Sequence, residues 1–252
     1  MKLILSGCNG RMGRVITAMC AQNAEMQIVA GVDVNPEKLS DYPVFRDICE
    51  FTGSADCVID FSNPAALESL LGYCTTNKTP IVLATTGYNE AQLEKINDAS
   101  AMIPVFRSAN MSLGVNVLCE LVRMAARTRE GFDIEIVEKH HRMKADSPSG
   151  TAIMLYDAVK KEKGPETEPV HGRYGRTEKR TGGEIGIHAV RGGTVTGEHE
   201  VGFYGNGEQL LLTHRAENRS LFAQGALKAA SYVKDKPAGL YSMRDVVLQM
   251  LG

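Results

Sequence analysis

Five short, nearly continuous apolar runs punctuate the first 110 residues: "KLILS", "MQIVAGVD", "ADCVIDFS", "TPIVLATTG" and "MIPVFRSAN". Strands without polar alternation are buried on both faces, and parallel strands need crossover connections that cover those faces. The intervening segments suit that role. "RVITAMCAQN" sets Val15, Ile16, Met19 and Cys20 at helical spacing, and "NPAALESLLGYCTTN" and "NEAQLEKINDAS" read as two more helices. The pattern predicts an α/β fold with a doubly wound parallel sheet over residues 1–111.

The character changes beyond that point. "SLGVNVLCELVRMAARTR" is a long amphipathic helix, "FDIEIVEKH" alternates as a strand, and "AIMLYDAVKKEK" is a second helix. Residues 164–180 are polar, with Pro165, Pro169, Gly172 and Gly175, and read as an exposed loop. From 183 to 215, Gly-Gly and Asn-Gly turns separate alternating segments, which predicts an antiparallel meander. "SLFAQGALKAASYVKDK" reads as a closing helix. The division expected is a first domain over 1–111, a second α+β domain with a mixed or antiparallel sheet over 112–218, and a C-terminal helical segment over 219–252.

A chain of 252 residues with a net charge of -2 carries no global field for nucleic acid or an anionic membrane. No basic stripe and no apolar run of membrane-spanning length occurs, and the start "MKLILSGCNG" reads as a strand, not a signal segment. The compartment expected is the cytoplasm. Cys8, Cys20, Cys49, Cys57, Cys74 and Cys119 are irregularly spaced without a C-x-x-C pair, so they read as buried reduced thiols.

Gly7, Gly10 and Gly13 stand in "GCNGRMG", after a strand and at the start of a helix. Glycines there allow a tight turn and close approach of a pyrophosphate to backbone N–H groups and the positive end of a helix dipole. The spacing is G-x-x-G-x-x-G, not G-x-G-x-x-G, so position carries more weight than pattern. An acid, Asp33, closes the second strand twenty residues past Gly13, where a ribose hydroxyl sits in a Rossmann-type site. Val34 and Asn35 follow it, with no arginine to receive a 2′-phosphate, so the site leans toward NADH over NADPH; Arg11 and Lys38 lie within reach. A tight turn without ligand is the plain alternative. "ATTG" (Ala84 to Gly87) and "SANMS" (Ser108 to Ser112) follow later strands and suit either nicotinamide contacts or ordinary loop chemistry.

"VEKHHRMKADSPSGTAIM" concentrates His140, His141, Lys144 and Asp146 ahead of a helix start. Ser147 reads as its cap and Pro148 as its first residue, so the amides of Ser149, Gly150 and Thr151 are expected to point outward. With Lys144 they form a carboxylate receptor. One of the two histidines can supply a proton to a substrate reduced by hydride. The pair with Asp146 lacks H-E-x-x-H geometry, and no metal is expected.

"EKHHRMKADSPSGTA" resembles the signature of the 4-hydroxy-tetrahydrodipicolinate reductase (dihydrodipicolinate reductase) family. "GCNGRMG", "VIDFSNP", "ATTG", "SANMSLGVN" and "VRGGTVTGEHEVGF" are similar to further family segments in the same order, over nearly the whole chain. The resemblance implies His140 as catalytic proton donor and Lys144 as the second catalytic residue. It implies His141, Gly150 and Thr151 as substrate contacts. Gly7, Cys8, Asn9, Gly10, Arg11, Met12 and Asp33 match cofactor positions, and Ala84, Thr85, Thr86, Ser108, Ala109, Asn110 and Met111 match nicotinamide contacts. It further implies a small dicarboxylate substrate on the lysine and diaminopimelate pathway, NADH or NADPH as cofactor, and a cytoplasmic homotetramer associating through the second domain's sheet. The last segment is implied to pack back on the first domain. Ala84 and Met111 depart from the family's usual Gly and Phe.

Three rival readings remain open. "YDAVK" is a Y-x-x-x-K, Tyr156 to Lys160, as in short-chain dehydrogenases, but their glycine loop is absent and Leu155 and Val159 mark a packed tyrosine. An NADH-binding regulatory module needs no acid beside an anion receptor. A two-domain reductase of another substrate keeps every motif.

Overall fold

The chain's structure, a computed structural model, describes residues 1–128, 131–175 and 179–251. It divides into two compact units, one formed by Met1–Ser112 with Ser220–Gly252 and the other by Leu113–Arg219.

The first unit is built on a seven-stranded sheet. Its strands are β1 (Lys2–Ser6), β2 (Gln27–Val32), β3 (Val44–Phe45), β4 (Cys57–Asp60), β5 (Ile81–Leu83), β6 (Pro104–Arg107) and, last in the chain, β12 (Gly239–Tyr241). They lie in the order β12-β6-β5-β4-β1-β2-β3, every neighbouring pair parallel. Alternation splits the fully buried residues between two faces. Ile4, Val58, Ile81, Leu83 and Val105 pack with Leu67, Leu70 and Cys74 of α2 (Leu67–Asn77) and Ile96 of α3 (Glu90–Ser100). The other face is covered by α1 (Arg11–Ala21) and α6 (Ser220–Val233), where the Phe106 ring meets Tyr232 edge-on at 6.3 Å. Each such buried side chain contributes about 1.5–3 kcal/mol. The chain reverses direction of winding between β1 and β4, and in open parallel sheets the crevice at that switch point receives ligands.

The segment after Ser220 is more than helical. Besides α6 and α7 (Met243–Leu251) it supplies β12, which pairs with β6 at the sheet edge. Three residues are too few to show alternation, so this strand escaped the sequence reading, as did the two-residue β3.

The second unit holds a five-stranded mixed sheet of β7 (Asp133–His140), β8 (Glu168–His171), β9 (Glu184–Arg191), β10 (Gly197–Tyr204) and β11 (Gln209–Ala216), in the order β11-β10-β7-β9-β8. The helices α4 (Leu113–Thr128) and α5 (Gly150–Lys163) cover one face, burying Val122, Leu155 and Val159 against Ile134, Ile136, Ile187, Val201 and Phe203. Two expectations need correction. β9, β10 and β11 do not form a meander, because β7 inserts between β9 and β10, pairing parallel with the first and antiparallel with the second. Strand alternation identifies a half-buried strand but not its neighbour. The stretch 164–180 is not all loop: Glu168–His171 forms β8, an edge strand parallel to β9, where a proline is tolerated. Residues 176–178 of that stretch lie outside the described residues.

No disulfide joins the six cysteines; five are buried, but Cys49 is exposed, against expectation. Among the described residues no helix is long and apolar enough to cross a membrane, and no cluster of side chains suits a metal ion.

Candidate active site

In the first unit, the glycine loop turns directly from β1 into α1. Gly7 has φ +74°, and a Cβ there would stand 2.5 Å from the Phe61 carbonyl oxygen. A Cβ on Gly13 would overlap the carbonyls of Gly7 and Cys8, so the start of α1 lies hard against the loop. The helix begins after Gly10 with no side-chain cap and no acid in its first turn. Its opening N–H groups are thus of the kind a phosphate satisfies.

Asp33 organises this loop. Its Oδ2 accepts the Asn9 N–H at 3.0 Å and its Oδ1 the Asn35 N–H at 3.1 Å. The Asn9 side chain donates back to the carbonyls of Asn35 and Glu37, and Arg14 Nε donates to the Asn9 carbonyl. A carboxylate has about four acceptor positions, so capacity remains for ribose hydroxyls. Cys8 is no nucleophile: burial, aided by Asp33, pushes its thiol up to about 11. Arg11 is exposed, Met12 half-buried.

The other two loops follow β5 and β6. Ala84 N donates to the Asp60 carbonyl, Thr85 is buried and Thr86 exposed. Ser108 Oγ donates to the Asn110 carbonyl, Asn110 Oδ1 accepts the Ser112 N–H at 2.8 Å, and Ala109 is exposed between them. Met111 is buried, and α6 approaches so closely that a methyl on Gly225 would overlap the Met111 carbonyl. Asp60 was missed in the sequence. Fully buried at the end of β4, its Oδ1 accepts the Ser62 hydroxyl at 2.5 Å and its Oδ2 the Tyr88 hydroxyl at 3.4 Å. It ties together the loops after β4 and β5 at the switch point. The loop geometry and the uncapped helix fit a dinucleotide.

In the second unit, Ile134, Ile136, Glu138 and His140 occupy alternate positions of β7 and are all buried. The sheet's core face therefore ends in an acid and an imidazole. Glu138 is 0 % exposed and accepts four hydrogen bonds. Oε2 receives His140 Nδ1 at 2.6 Å and Arg191 Nη1 at 2.7 Å; Oε1 receives Arg191 Nη2 at 2.7 Å and the Ser149 N–H at 3.0 Å. Burial alone would raise its pKa, but the Arg191 guanidinium, His140 and the Ser149 amide together hold it below the usual carboxylate value. For His140, burial outweighs Glu138 and draws its pKa below that of a free imidazole, with the charges of Lys144 and Arg191 adding to the fall.

The helix start differs from the expectation. Ser149, not Ser147, caps α5: its Oγ accepts the Ala152 N–H at 3.2 Å. Pro148 precedes the cap, behind a cis bond, and Gly150 is the first helical residue. The Ser149 amide does not point outward as predicted, because Glu138 takes it. Gly150 is exposed, with open space where a Cβ would be. Thr151 and His141 are half-buried, and Lys144 Nζ pairs with Asp146 Oδ1 at 2.8 Å.

Three further residues join this cluster. Arg191, at the end of β9, stands beside His140 in the strand register. Ser149 is shared between cap and sheet. His199, on β10 opposite Glu138, sets its Nε2 3.0 Å from Ser149 Oγ and its ring edge-on to His140 at 5.1 Å. The period-2 acid in "IEIVEKH" was a legible signal for Glu138; Arg191 and His199 stand in the segment "VRGGTVTGEHEVGF", whose likeness to a family segment was noted without a role for either residue. Tyr156 is buried, and its hydroxyl donates to the Thr167 carbonyl at 3.0 Å, so the Y-x-x-x-K is packing.

Residues 1–111 match the family model described as dihydrodipicolinate reductase, N-terminus, and residues 114–247 the one described as dihydrodipicolinate reductase, C-terminus. The chain is 51% identical over 247 residues to the 4-hydroxy-tetrahydrodipicolinate reductase of Caldanaerobacter subterraneus subsp. tengcongensis, covering 98% of both chains. It is 47% identical over 244 residues to that of Clostridium tetani, covering 96% of this chain and 95% of the relative. Among solved structures, the dipicolinate-bound dihydrodipicolinate reductase from Paenisporosarcina sp. TG-14 superimposes with a TM-score of 0.83, at 24% identity, over 98% of this chain and 99% of that one, a likeness of fold.

Proposed function

The chain belongs to the dihydrodipicolinate reductase family, and from that premise we propose that it reduces 4-hydroxy-tetrahydrodipicolinate to tetrahydrodipicolinate in lysine and diaminopimelate biosynthesis. The observation that carries the reading is a buried imidazole, His140, joined through Glu138 to the N-terminus of α5, with the charge of Lys144 acting on it. An acid beside an anion receptor is what reduction of a dicarboxylate requires.

A nicotinamide nucleotide, when bound, supplies the hydride. Gly7, Cys8, Asn9, Gly10, Arg11 and Met12 cradle its phosphates, and Asp33 receives ribose hydroxyls. Ala84, Thr85 and Thr86 with Ser108, Ala109, Asn110 and Met111 hold the nicotinamide end. Asp33, followed by exposed Val34, favours NADH, since a carboxylate repels a 2′-phosphate. Lys144, Gly150 and Thr151 hold a substrate carboxylate and His141 adds a contact. The 4-hydroxyl leaves as water together with a hydrogen from the neighbouring ring carbon; the carbon it left then receives the hydride, and His140 gives its proton to that neighbouring carbon. Hydride, proton and lost water balance the reduction.

The protein is proposed to work as a cytoplasmic homotetramer, which native mass determination tests. The activity is tested by following NADH loss with substrate made in place from aspartate semialdehyde, pyruvate and the upstream synthase, with NADPH in parallel. Loss that needs every component supports the reading; NADH binding without any turnover sinks it in favour of a regulatory module.

A further inference from the structure

Glu138 is a fully buried carboxylate of the second unit, and the reaction as written does not use it. All four acceptor positions of its carboxylate are filled, two by Arg191, one by the Ser149 amide and one by His140 Nδ1. Arg191 and the amide can only donate, so the carboxylate is ionised and carries no hydrogen to offer. The hydrogen in the 2.6 Å contact must then belong to His140 Nδ1. Nε2 is left as the other nitrogen, and it faces Gly197, where even a Cβ would come within 3.1 Å. A glycine at that point keeps the Nε2 side clear.

We infer that Glu138 is a positioning residue that locks neutral His140 as the Nδ1–H tautomer, so that His140 acts only as an imidazolium acid delivering its proton from Nε2. This rests on the proposed reductase reading and adds to it which nitrogen acts and what holds it. In the step, the Nε2–H bond breaks, its electron pair stays on Nε2, a C–H bond forms on the substrate ring, and the imidazole returns to the Nδ1–H form. Solvent then restores the Nε2 proton.

The groups around His140 sort by sign. Glu138 on β7 favours the imidazolium. Arg191 on β9 and Lys144 on the connecting loop oppose it, although Arg191 is largely neutralised by Glu138 and Lys144 by Asp146. His199 on β10 contributes a ring edge, and it is itself held neutral by burial down to about 4. Among the described residues, Glu138 is therefore the carboxylate in direct contact with the ring that stabilises the working protonation state. Its second contact, to the Ser149 amide, fixes the α5 N-terminus to the same anchor, so that acid and anion receptor move as one.

The deciding experiment is 15N NMR of the full-length protein with labelled histidine, His140 being assigned by its loss in His140→Gln. Above its titration, the expected spectrum has a proton on Nδ1 and a bare Nε2. An Nε2–H tautomer would overturn the inference. In turnover, Glu138→Gln removes the charge but keeps a polar partner. The fall of kcat on the alkaline side is expected to move about one to three pH units toward acid, with KM changed less than kcat, and Glu138→Asp to recover part of the shift. An unmoved profile would also overturn it. If the Gln variant does not fold, the tautomer in the unaltered protein still decides. Failure of the two readings is separable, since an unaltered protein that never reduces the substrate removes the reductase reading, whereas one that turns over with an Nε2–H tautomer removes only the role of Glu138.

Discussion

The Ser149 hydroxyl lies 3.0 Å from Nε2 of His199, between a strand of the second unit's sheet and the first turn of α5. His199 is 4 % exposed and its Nδ1 has no partner, so a charge on the ring would be both desolvated and unpaired. Burial first, and then the neighbouring His140, hold its pKa down to about 4. The unfolded chain binds this proton near pH 6.5. The stabilising contribution is therefore complete above about 6.5 and is lost as the pH falls toward about 4. The full loss is on the order of 3 kcal/mol. Denaturant midpoints measured across that window are expected to fall more steeply for the natural protein than for His199→Gln. Equal slopes would show that His199 is not the buried neutral base.

His140→Gln keeps a hydrogen-bonding side chain beside Glu138 but cannot donate an acidic proton. A kcat lower by about 10²–10⁴, with substrate KM within a few-fold, is expected from steady-state assays. Lys144→Met should act mainly on KM if the lysine holds a carboxylate. Normal turnover in His140→Gln would leave the acid unassigned.

Val34 is 82 % exposed directly after Asp33, so its replacement disturbs no packing. Val34→Arg places a guanidinium beside Asp33, where the proposed site would receive a 2′-phosphate, and kcat/KM for NADPH should rise by about ten-fold, with NADH use little altered. An unchanged ratio of the two cofactors would mean that the acid after β2 does not face the adenosine ribose.

Tyr156→Phe removes a single buried hydrogen bond, to the Thr167 carbonyl. Stability should drop by about 1 kcal/mol with kcat retained. A thermal melt beside an activity assay checks both, and loss of activity in a well-folded variant would restore the tyrosine–lysine reading.

Much of this was legible in the chain because it is local. The continuous apolar runs mark β1, β2 and β4–β6 as strands buried on both faces, and Gly7 and Gly13 of "GCNGRMG" mark a turn where no larger residue fits. The family motif around His140 was equally plain. What stayed hidden was short or non-local. β12 has three residues and joins an edge, β8 carries a proline, and β7 slips between β9 and β10 without any local sign. The α5 cap moved from Ser147 to Ser149 because either serine satisfies the local rule, and Glu138 with His199 bind only the second.

By itself the sequence determined the parallel sheet with its glycine loop and the presence of a His-His-Lys segment ahead of a helix. Those follow from side-chain period and backbone freedom, which act over a few residues. Only the tertiary structure decided that Glu138, Arg191, Ser149 and His199 gather around His140. They come from β7, β9, the start of α5 and β10, and it is the pairing of strands distant in the chain, together with the need to satisfy a carboxylate withdrawn from water, that brings them to one point.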